Sequence, residues 1–340
     1  MLAFDSQVLI ASPSPGAILR RFSLVTRHTR IVDRAITRLK LRQLRLLVAV
    51  SRFGNIQSAA RELRMSQPAA SKLIQDLEQD FEVKLFDRTN RGVVPTAFGE
   101  SLIRHGKQIL AQVSIAAQEL DDLTEGSSGR VVVGTLLAAA PDLLPHAIDA
   151  VMDERPNVTI KVVEGTNDAL MPALLSGEID MIVGRLPAYR ARAKLVQERL
   201  FDERVLAVVR QQHPLAGKPS VTFDEIRKFG WILPPQETTL RRQIDQFFIA
   251  QEQYIPPAVL ESVSYLTNRT LLQKRDLISL MPEHVVAHDI KNQNLASVNW
   301  RVPFGKGPVG ISYRGTDSLS PASTEFLKAL HRTAKRMKPA

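Results

Sequence analysis

Cysteine is absent from the sequence, and that absence excludes several kinds of chemistry. A chain of 340 residues without cysteine forms no disulfide bridge, no thiolate metal site and no cysteine nucleophile, and it is compatible with a reducing cytoplasm. Long apolar runs are absent too. The longest, Val131 to Ala140, is interrupted by Gly134 and Thr135 and has about half the length of a bilayer crossing. We therefore expect no membrane-spanning helix and no membrane partner.

Recognisable catalytic motifs are scarce. The sequence has no Gly-x-Ser-x-Gly and no P-loop. The run Gly305 to Gly310 matches a dinucleotide-binding fingerprint, but it contains Pro308 and leads into a strand-like segment, so we interpret it as a turn. His284 and His288 stand four residues apart, as a metal pair would, yet Val285 occupies the general-base position and no third ligand is evident. We predict no catalytic residue, no metal site and no cofactor.

Positive charge is concentrated at the N-terminal end. Of the net charge of +10, residues 1–40 contribute seven Lys/Arg against two Asp/Glu, and residues 41–96 contribute nine against six. The other 244 residues, with 29 against 27, are nearly neutral. This asymmetry is typical of a nucleic-acid-binding head joined to a different kind of domain, although a merely solubilising basic surface would give the same charge.

Residues 1–38 form an extension that turns basic from Arg20 onwards. We interpret it as a flexible or partly helical basic arm; the alternative is an upstream start codon that adds residues without function. Met1 to Pro15 lacks the early lysine or arginine of a secretory signal peptide. We therefore expect the protein to be cytoplasmic.

Three short helices are predicted after the extension. Apolar spacing indicates a first helix over Leu41 to Phe53, which Gly54 ends, and a second over Ile56 to Arg64. Ser66 is an N-cap for a third helix that runs to about Asp80. Two short helices with a tight turn between them predict a helix-turn-helix, whose second helix enters the major groove.

The third helix and the segment after it carry the predicted DNA contacts. The segment from Val83 through Phe86 and on from Asp87 to Thr96 is expected to form a strand, a Gly-containing basic turn and a second strand, which together make a wing. The alternative is that the polar side chains are only the solvated face of a core helix. The residues assigned to DNA are Ser66, Gln67, Pro68, Ser71, Lys72, Gln75, Arg88 and Arg91.

These motifs resemble the head of LysR-type transcriptional regulators. The resemblance rests on the runs Ala59 to Leu63, Ser66 to Lys72 and Leu85 to Arg88, followed by Pro95-Thr96. It implies that residues 39–96 are a winged helix-turn-helix that binds double-stranded DNA as a homodimer or homotetramer. Family heads usually begin within a few residues of the start, so the extension departs from the pattern.

A long helix is predicted over residues 97–125, with Thr96 as its N-cap. Its apolar residues follow the alternating three-and-four spacing of a coiled-coil seam, and such an apolar edge needs a partner. The resemblance to LysR-type regulators implies a paired linker helix, which would place two heads on the half-sites of a pseudo-palindrome. The alternative is that this edge packs on the chain's own effector domain. The seam residues are Leu102, Ile109, Val113, Ala116, Leu120 and Leu123.

Residues 126–335 alternate short strands and helices, which predicts an α/β domain with a mostly parallel sheet. One of the expected strands is Val205 to Val209. The runs Leu174 to Met181, His213 to Ala216, Trp231 to Pro235 and Leu280 to Pro282 resemble the LysR-type effector domain, whose fold is similar to periplasmic binding proteins. The predicted fold class is therefore α/β with an α-rich head, a linker helix and two α/β subdomains, residues 130–204 plus 303–330 and residues 205–302.

The resemblance places a small-molecule inducer in the cleft between the subdomains. A weaker match, on Leu233-Pro234-Pro235 and Arg242, is to regulators of the galactose-binding-protein type. A neutral sugar and a small carboxylate both fit a cleft with few predicted charges. The alternative for Ser264 and Thr267 is that they only cap a helix. The assigned inducer contacts are Thr135, Leu136, Leu137, Ala138, Arg185, Ser264, Tyr265 and Thr267.

A ligand-responsive transcription regulator is therefore the predicted function. RNA polymerase is left open as a protein partner. The competing functions are a solute-binding protein or an enzyme of the same α/β fold. The basic winged head argues against the first of these, and the missing catalytic motifs argue against the second.

Overall fold

The computed structural model describes residues 32–90, 92–125, 129–187, 195–251, 254, 258–302 and 306–337. The chain forms two compact units, the first ending at Leu110 and the second beginning at Ala111, within a single helix. Among the described residues, no helix is long and apolar enough to cross a membrane, and no three metal-ligating side chains come together.

The first unit is a small helical head with a two-stranded wing. Helix α1 covers residues 32–38. The remaining elements are α2 (Leu41–Phe53), α3 (Ile56–Glu62), α4 (Gln67–Phe81), β1 (Phe86–Thr89), β2 (Gly92–Pro95) and the helix α5 (Ala97–Glu125), which continues into the second unit.

Local signals set the boundaries of these helices. Gly54 ends α2 in a left-handed conformation, with φ of 61°, and its N–H donates to the Val50 carbonyl at 2.9 Å. The Asn55 side chain caps α3 by accepting hydrogen bonds from the N–H groups of Gln57 and Ser58. The predicted ends of the first two helices are therefore correct to within two residues.

The core of the head is apolar, and a carboxylate on α4 binds the residues that follow this helix. Glu78 accepts a hydrogen bond from the Leu85 N–H at 2.8 Å and another from Lys84 Nζ at 2.9 Å. Thr96 caps α5 by accepting from the Gly99 N–H at 3.1 Å. Among the buried residues are Leu46, Leu47, Val50, Ala59, Ala60, Ile74 and Leu77.

The wing has the predicted strand, turn and second strand. Asp87 and Arg88 pair with Val94 and Val93 in an antiparallel ladder. The first strand begins at Phe86 and not at Val83. A hydrogen bond from the Val93 N–H to the Gly54 carbonyl, at 2.8 Å, ties the wing to the end of α2.

The second unit is a mixed α/β structure. Its strands are β3 (Gly129–Thr135), β4 (Val158–Glu164), β5 (Met181–Arg185), β6 (Val196–Arg210), β7 (Gly230–Leu233), β8 (Ala258–Glu261), β9 (Leu277–Pro282), β10 (Leu295–Ser297) and β11 (Lys306–Tyr313). Its helices are α6 (Leu143–Glu154), α7 (Asn167–Ser176), α8 (Phe223–Ile226), α9 (Thr239–Ala250), α10 (Tyr265–Lys274), α11 (Glu283–Lys291), a 3-10 turn (Thr316–Ser318) and α12 (Pro321–Met337).

The strands are hydrogen-bonded in the order β4-β3-β5-β11-β6-β9-β7-β8, with β10 also on β6. Strands β3, β4 and β5 are mutually parallel, as are β7, β8 and β9, whereas β6, β10 and β11 run antiparallel to their neighbours. The expected parallel arrangement therefore holds within each set of three strands, and the antiparallel pairs of this sheet all involve β6 or β11. We call the half around β3–β5 and β11 the first lobe and the half around β7–β10 the second lobe.

Strand β6 joins the two lobes. It has 15 residues, whereas the sequence predicted a strand only over Val205 to Val209. Its first part pairs with β11 and its second part with β9, and the many charged residues of the first part hid the strand. Residues 306–310 of the fingerprint motif lie in β11 and are not a turn. A Cβ at Gly310 would collide with the Glu198 carbonyl, so glycine permits this close pairing.

Each lobe has its own apolar core. In the first lobe, Phe326 and Leu330 of α12 pack against Val131 and Met181 of the sheet. In the second lobe, the fully buried Trp231 lies in a core with buried aliphatic and aromatic side chains, including Ile226, Phe248 and Ile278. Neither core fills the space between the two lobes, and a cavity lies there.

Candidate nucleic-acid interface and ligand cavity

Helix α4 has a buried face and an exposed polar face. Ser66 Oγ accepts from the Ala69 N–H at 3.4 Å, and Pro68 stands in the first turn, where a missing N–H costs nothing. Ala70, Ile74 and Leu77 are buried against the head. The polar side chains Gln67, Lys72 and Gln75 are exposed, Ser71 is half-buried, and Gln67 Nε2 donates to Ser71 Oγ at 3.4 Å.

The wing adds a positive charge to the exposed surface of the head. Arg88 is exposed on β1. Arg91, the other predicted wing contact, lies outside the described residues. The hydrogen bond between Val93 and Gly54 fixes the wing to the turn that precedes α3, so the strand pair and the helix-turn-helix form one body.

The predicted seam of α5 is apolar and largely uncovered in the single chain. Ile109, Val113 and Leu120 are 40, 44 and 65 % exposed, and Ala116 is exposed as well. Leu102 is half-buried against the head core. The side chain of Leu123 lies outside the described residues. Exposed aliphatic side chains at seam spacing are what a helix that pairs with another copy presents.

A cavity of about 470 Å³ lies between the two lobes. Its walls come from the loop after β3, the start of α7, the ends of β5 and β9, and the starts of α9 and α10. The lining residues include Leu136, Leu137, Ala138, Glu164, Thr166, Asn167, Arg185, Glu203, Thr238, Thr239, Leu240, Ser264, Tyr265, Leu266, Asn268, Leu280 and Met281.

Three helix N-termini meet at this cavity, and each offers backbone N–H groups without intrahelical partners. Thr238 caps α9 by accepting from the Arg241 N–H at 3.2 Å, and Ser264 caps α10. Asn167 at the start of α7 donates to Thr239 Oγ1 at 3.4 Å, and both residues are buried. This hydrogen bond joins the first lobe to the second.

A buried ion pair forms one wall. Arg185 donates from Nε to the Glu203 carboxylate and from Nη1 to Gln243 Oε1 on α9, so it too joins the lobes. Burial raises the pKa of Glu203, and the neighbouring Arg185 guanidinium opposes that shift. Among the described residues, Arg185 Nη2, Glu203 Oε2 and Asn268 Oδ1 are buried without a hydrogen-bond partner.

Tyr265 is held in the opposite wall by a second cluster. Its hydroxyl donates to Asp289 of α11, which also accepts from Arg269 Nε at 2.7 Å and Asn294 Nδ2 at 2.9 Å. The hydrogen bond from Arg269 lowers the pKa of Asp289 to about 2, and burial raises the pKa of Tyr265. The cluster fixes the start of α10 to α11.

Six of the eight predicted inducer residues line the cavity: Leu136, Leu137, Ala138, Arg185, Ser264 and Tyr265. Thr135 lines a separate groove between α6 and β4. Thr267 is exposed, and its N–H donates to Ser264 Oγ at 3.4 Å, which is the helix cap that the alternative expected; its hydroxyl donates to the same oxygen at 2.9 Å. Sequence reasoning missed the lining residues Asn167, Glu203, Thr239 and Asn268.

Two family models match the chain. Residues 41–100 match "Bacterial regulatory helix-turn-helix protein, lysR family", and residues 124–335 match "LysR substrate binding domain". The chain belongs to the LysR family. It is therefore a DNA-binding transcriptional regulator with an effector-binding domain, and the predicted family, fold class and function are confirmed.

LysR relatives match over most of the chain. The HTH-type transcriptional regulator GbpR of Azospirillum brasilense is 34% identical over 295 residues, which are 86% of this chain and 86% of the relative. The regulator PcaQ of Agrobacterium fabrum is 30% identical over 297 residues, 87% and 96% of the two chains. The crystal structure of CbnR, a LysR family regulator, covers 87% of this chain and 99% of its own, with a TM-score of 0.63 at 22% identity, and shows the same fold.

Proposed function

We propose that helix α4 reads base edges in the major groove while the wing holds the sugar-phosphate backbone. The separation of faces on α4 carries this proposal, since Gln67, Lys72 and Gln75 are exposed and are not needed for the core. A glutamine amide bonds an adenine edge, and a lysine amine bonds guanine or phosphate. Arg88 and Arg91 are the proposed wing contacts to phosphate. CbnR, which has the same fold, has been solved with its target DNA.

We infer that the regulator assembles through the seam of α5. The exposed aliphatic side chains Ile109, Val113 and Leu120 support a helix pair between two copies, as a homodimer or as part of a homotetramer. Two heads joined in this way bind two half-sites of a pseudo-palindrome.

The cavity between the lobes is the proposed inducer site. Ligands in α/β folds bind where helix N-termini and strand ends meet, and here three N-termini converge. Two of the hydrogen bonds beside the cavity, from Asn167 to Thr239 and from Arg185 to Gln243, connect the lobes. A ligand that binds the closed arrangement better than the open one shifts the population towards closure.

We propose that the protein acts by binding alone, in the cytoplasm, with RNA polymerase as a protein partner at the promoter.

Selection of the full-length chain on a random pool of double-stranded DNA tests this function. The expected result is enrichment of a pseudo-palindrome, with a footprint that changes when sugars, sugar acids or aromatic acids are added as probes. A solute-binding protein of the same fold would bind a probe and enrich no DNA sequence. A chain that enriches none at low salt would contradict the proposal.

A further inference from the structure

Acidic side chains outnumber basic ones in the lining of the cavity. Its charged lining residues are one arginine and two glutamates, Arg185, Glu164 and Glu203. Arg185 is already paired with Glu203, and both are buried, at 5 and 3 % exposure. A carboxylate ligand therefore meets no unpaired cation among the lining residues and lies beside two acids of its own sign.

Buried acceptors without a hydrogen-bond partner also argue against a carboxylate ligand. Glu203 Oε2 and Asn268 Oδ1 are buried without a donor, and Asn268 is 4 % exposed. A carboxylate supplies no donor to either atom. A hydroxyl group both donates and accepts, so it satisfies an acceptor such as Glu203 Oε2 and a donor such as Arg185 Nη2, which also lacks a partner. The helix N-termini by themselves favour an anion, so the preference for a neutral ligand rests on the two glutamates, the ion-paired arginine and the unsatisfied acceptors.

The remaining wall is aliphatic. Leu136, Leu137, Leu240 and Leu280 line the cavity, and its volume of about 470 Å³ lies in the range of small-molecule sites. Such walls suit the C–H surfaces of a polyhydroxylated carbon chain or ring. On the proposed function of this cavity as the inducer site, we propose that it takes an uncharged polyhydroxylated compound, a sugar or sugar alcohol, in preference to a carboxylate, and that Glu203 sets this preference.

Matched ligand pairs on the wild-type, full-length chain test the proposal. D-glucose against D-glucuronate and D-galactose against D-galacturonate are pyranose pairs that differ only at C6, a CH2OH group against a carboxylate, and mannitol and benzoate extend the two classes. Thermal shift and calorimetry should show binding of at least one neutral compound, with its acid weaker by at least tenfold. Tighter binding of the acids, or no binding of any neutral compound, overturns the proposal.

The variant Glu203→Gln identifies the residue responsible. It is nearly isosteric, keeps one acceptor and releases Arg185 from its counter-charge, so affinity for the neutral compound should fall by about tenfold and affinity for the acid should rise. Glu237→Gln, at an exposed position outside the cavity lining, should change neither. An unchanged ratio of affinities in Glu203→Gln removes Glu203 from the proposal. If this variant does not fold, Glu164→Gln, at an exposed lining position, should raise the affinity for the acids.

DNA binding is measured in parallel by fluorescence anisotropy on the selected sequence. A chain that binds this DNA and responds only to acids overturns the ligand preference and leaves the proposed function standing. A chain that binds sugars but no DNA contradicts the proposed function and leaves the preference of the cavity intact.

Discussion

Asp289 is a buried carboxylate held by three side chains. It accepts hydrogen bonds from Arg269 and Asn294, at 2.7 and 2.9 Å, and from the Tyr265 hydroxyl. The first of these bonds lowers its pKa from 3.8 to about 2. Folding therefore stabilises the ionised form, so the contribution of Asp289 to stability is complete above pH ~4 and is lost as the pH falls towards 2.

Replacing Asp289 by Asn should lower the free energy of unfolding by about 2 kcal/mol at pH 7, because a pKa shift of this size corresponds to that energy. The difference from wild type should shrink as the pH falls from about 4 towards 2. Urea titrations across that range measure it. Asp224→Asn, which alters a largely exposed carboxylate on α8, is the control and should have little effect. A difference for Asp289→Asn that is constant with pH would contradict the assignment.

Single side chains on α4 and the wing should affect DNA binding in two different ways. Gln67→Ala and Lys72→Ala should each weaken specific binding by about 1 to 3 kcal/mol and relax the preference for particular bases. Arg88→Ala should weaken all sequences alike and reduce the salt slope by about one unit. Mobility-shift titrations on the selected site and on its base variants separate the two effects.

The matched control for these variants is Gln79→Ala, an exposed glutamine at the far end of the same helix. It should leave affinity and base preference unchanged. Specific binding that survives both Gln67→Ala and Lys72→Ala would show that the polar face of α4 is only a solvated surface.

At the scale of elements, helix α5 carries the proposed assembly seam. Replacing Val113 and Leu120 by Glu puts charges on both sides of a paired seam, and this should dissociate the assembly and abolish binding to paired half-sites. The heads should stay folded, since neither residue belongs to the head core. Light scattering gives the mass, and circular dichroism reports folding.

A change at an exposed position off the seam, Ser114→Glu, tests whether added charge alone is harmful. It should leave the assembly intact. If the double variant also keeps its mass, the uncovered side chains of α5 have another purpose.

Elements with local signals were predictable from the sequence, and elements defined by partners were not. Gly54 and Ser66 mark the end of α2 and the start of α4 because glycine tolerates a positive φ and serine caps a helix. The first part of β6 carries mostly polar side chains, so its pattern did not reveal a strand. Asn167 and Glu203 reach the cavity only because the other lobe lies opposite, and no local pattern encodes that arrangement.

At the scale of the whole molecule, the basic extension precedes the DNA-binding head and is joined to it through α1. Residues 1–40 lie outside both matched family models, yet α1 pairs with the C-terminal end of α4 through Arg34 and Glu82 at 2.6 Å and through Arg38 and Asp80 at 3.4 Å. Surface pairs contribute little energy, but these show where the extension joins the head. These two ion pairs lie about 20 Å along α4 from its N-terminus. A fully extended chain of 31 residues is several times as long as that distance.

Variants of the extension test whether the charge asymmetry of the chain contributes to DNA binding. Its first 31 residues hold four arginines, Arg20, Arg21, Arg27 and Arg30, against one Asp5. If they contact phosphates, a chain that begins at Val32 should bind all DNA sequences more weakly, with a salt slope reduced by about 1 to 3 units and an unchanged base preference. A full-length variant with the four arginines changed to glutamine should behave in the same way, because charge and not length is responsible. Equal slopes for all three chains, measured by anisotropy between low and physiological salt, would show that the extension adds residues without a role in DNA binding.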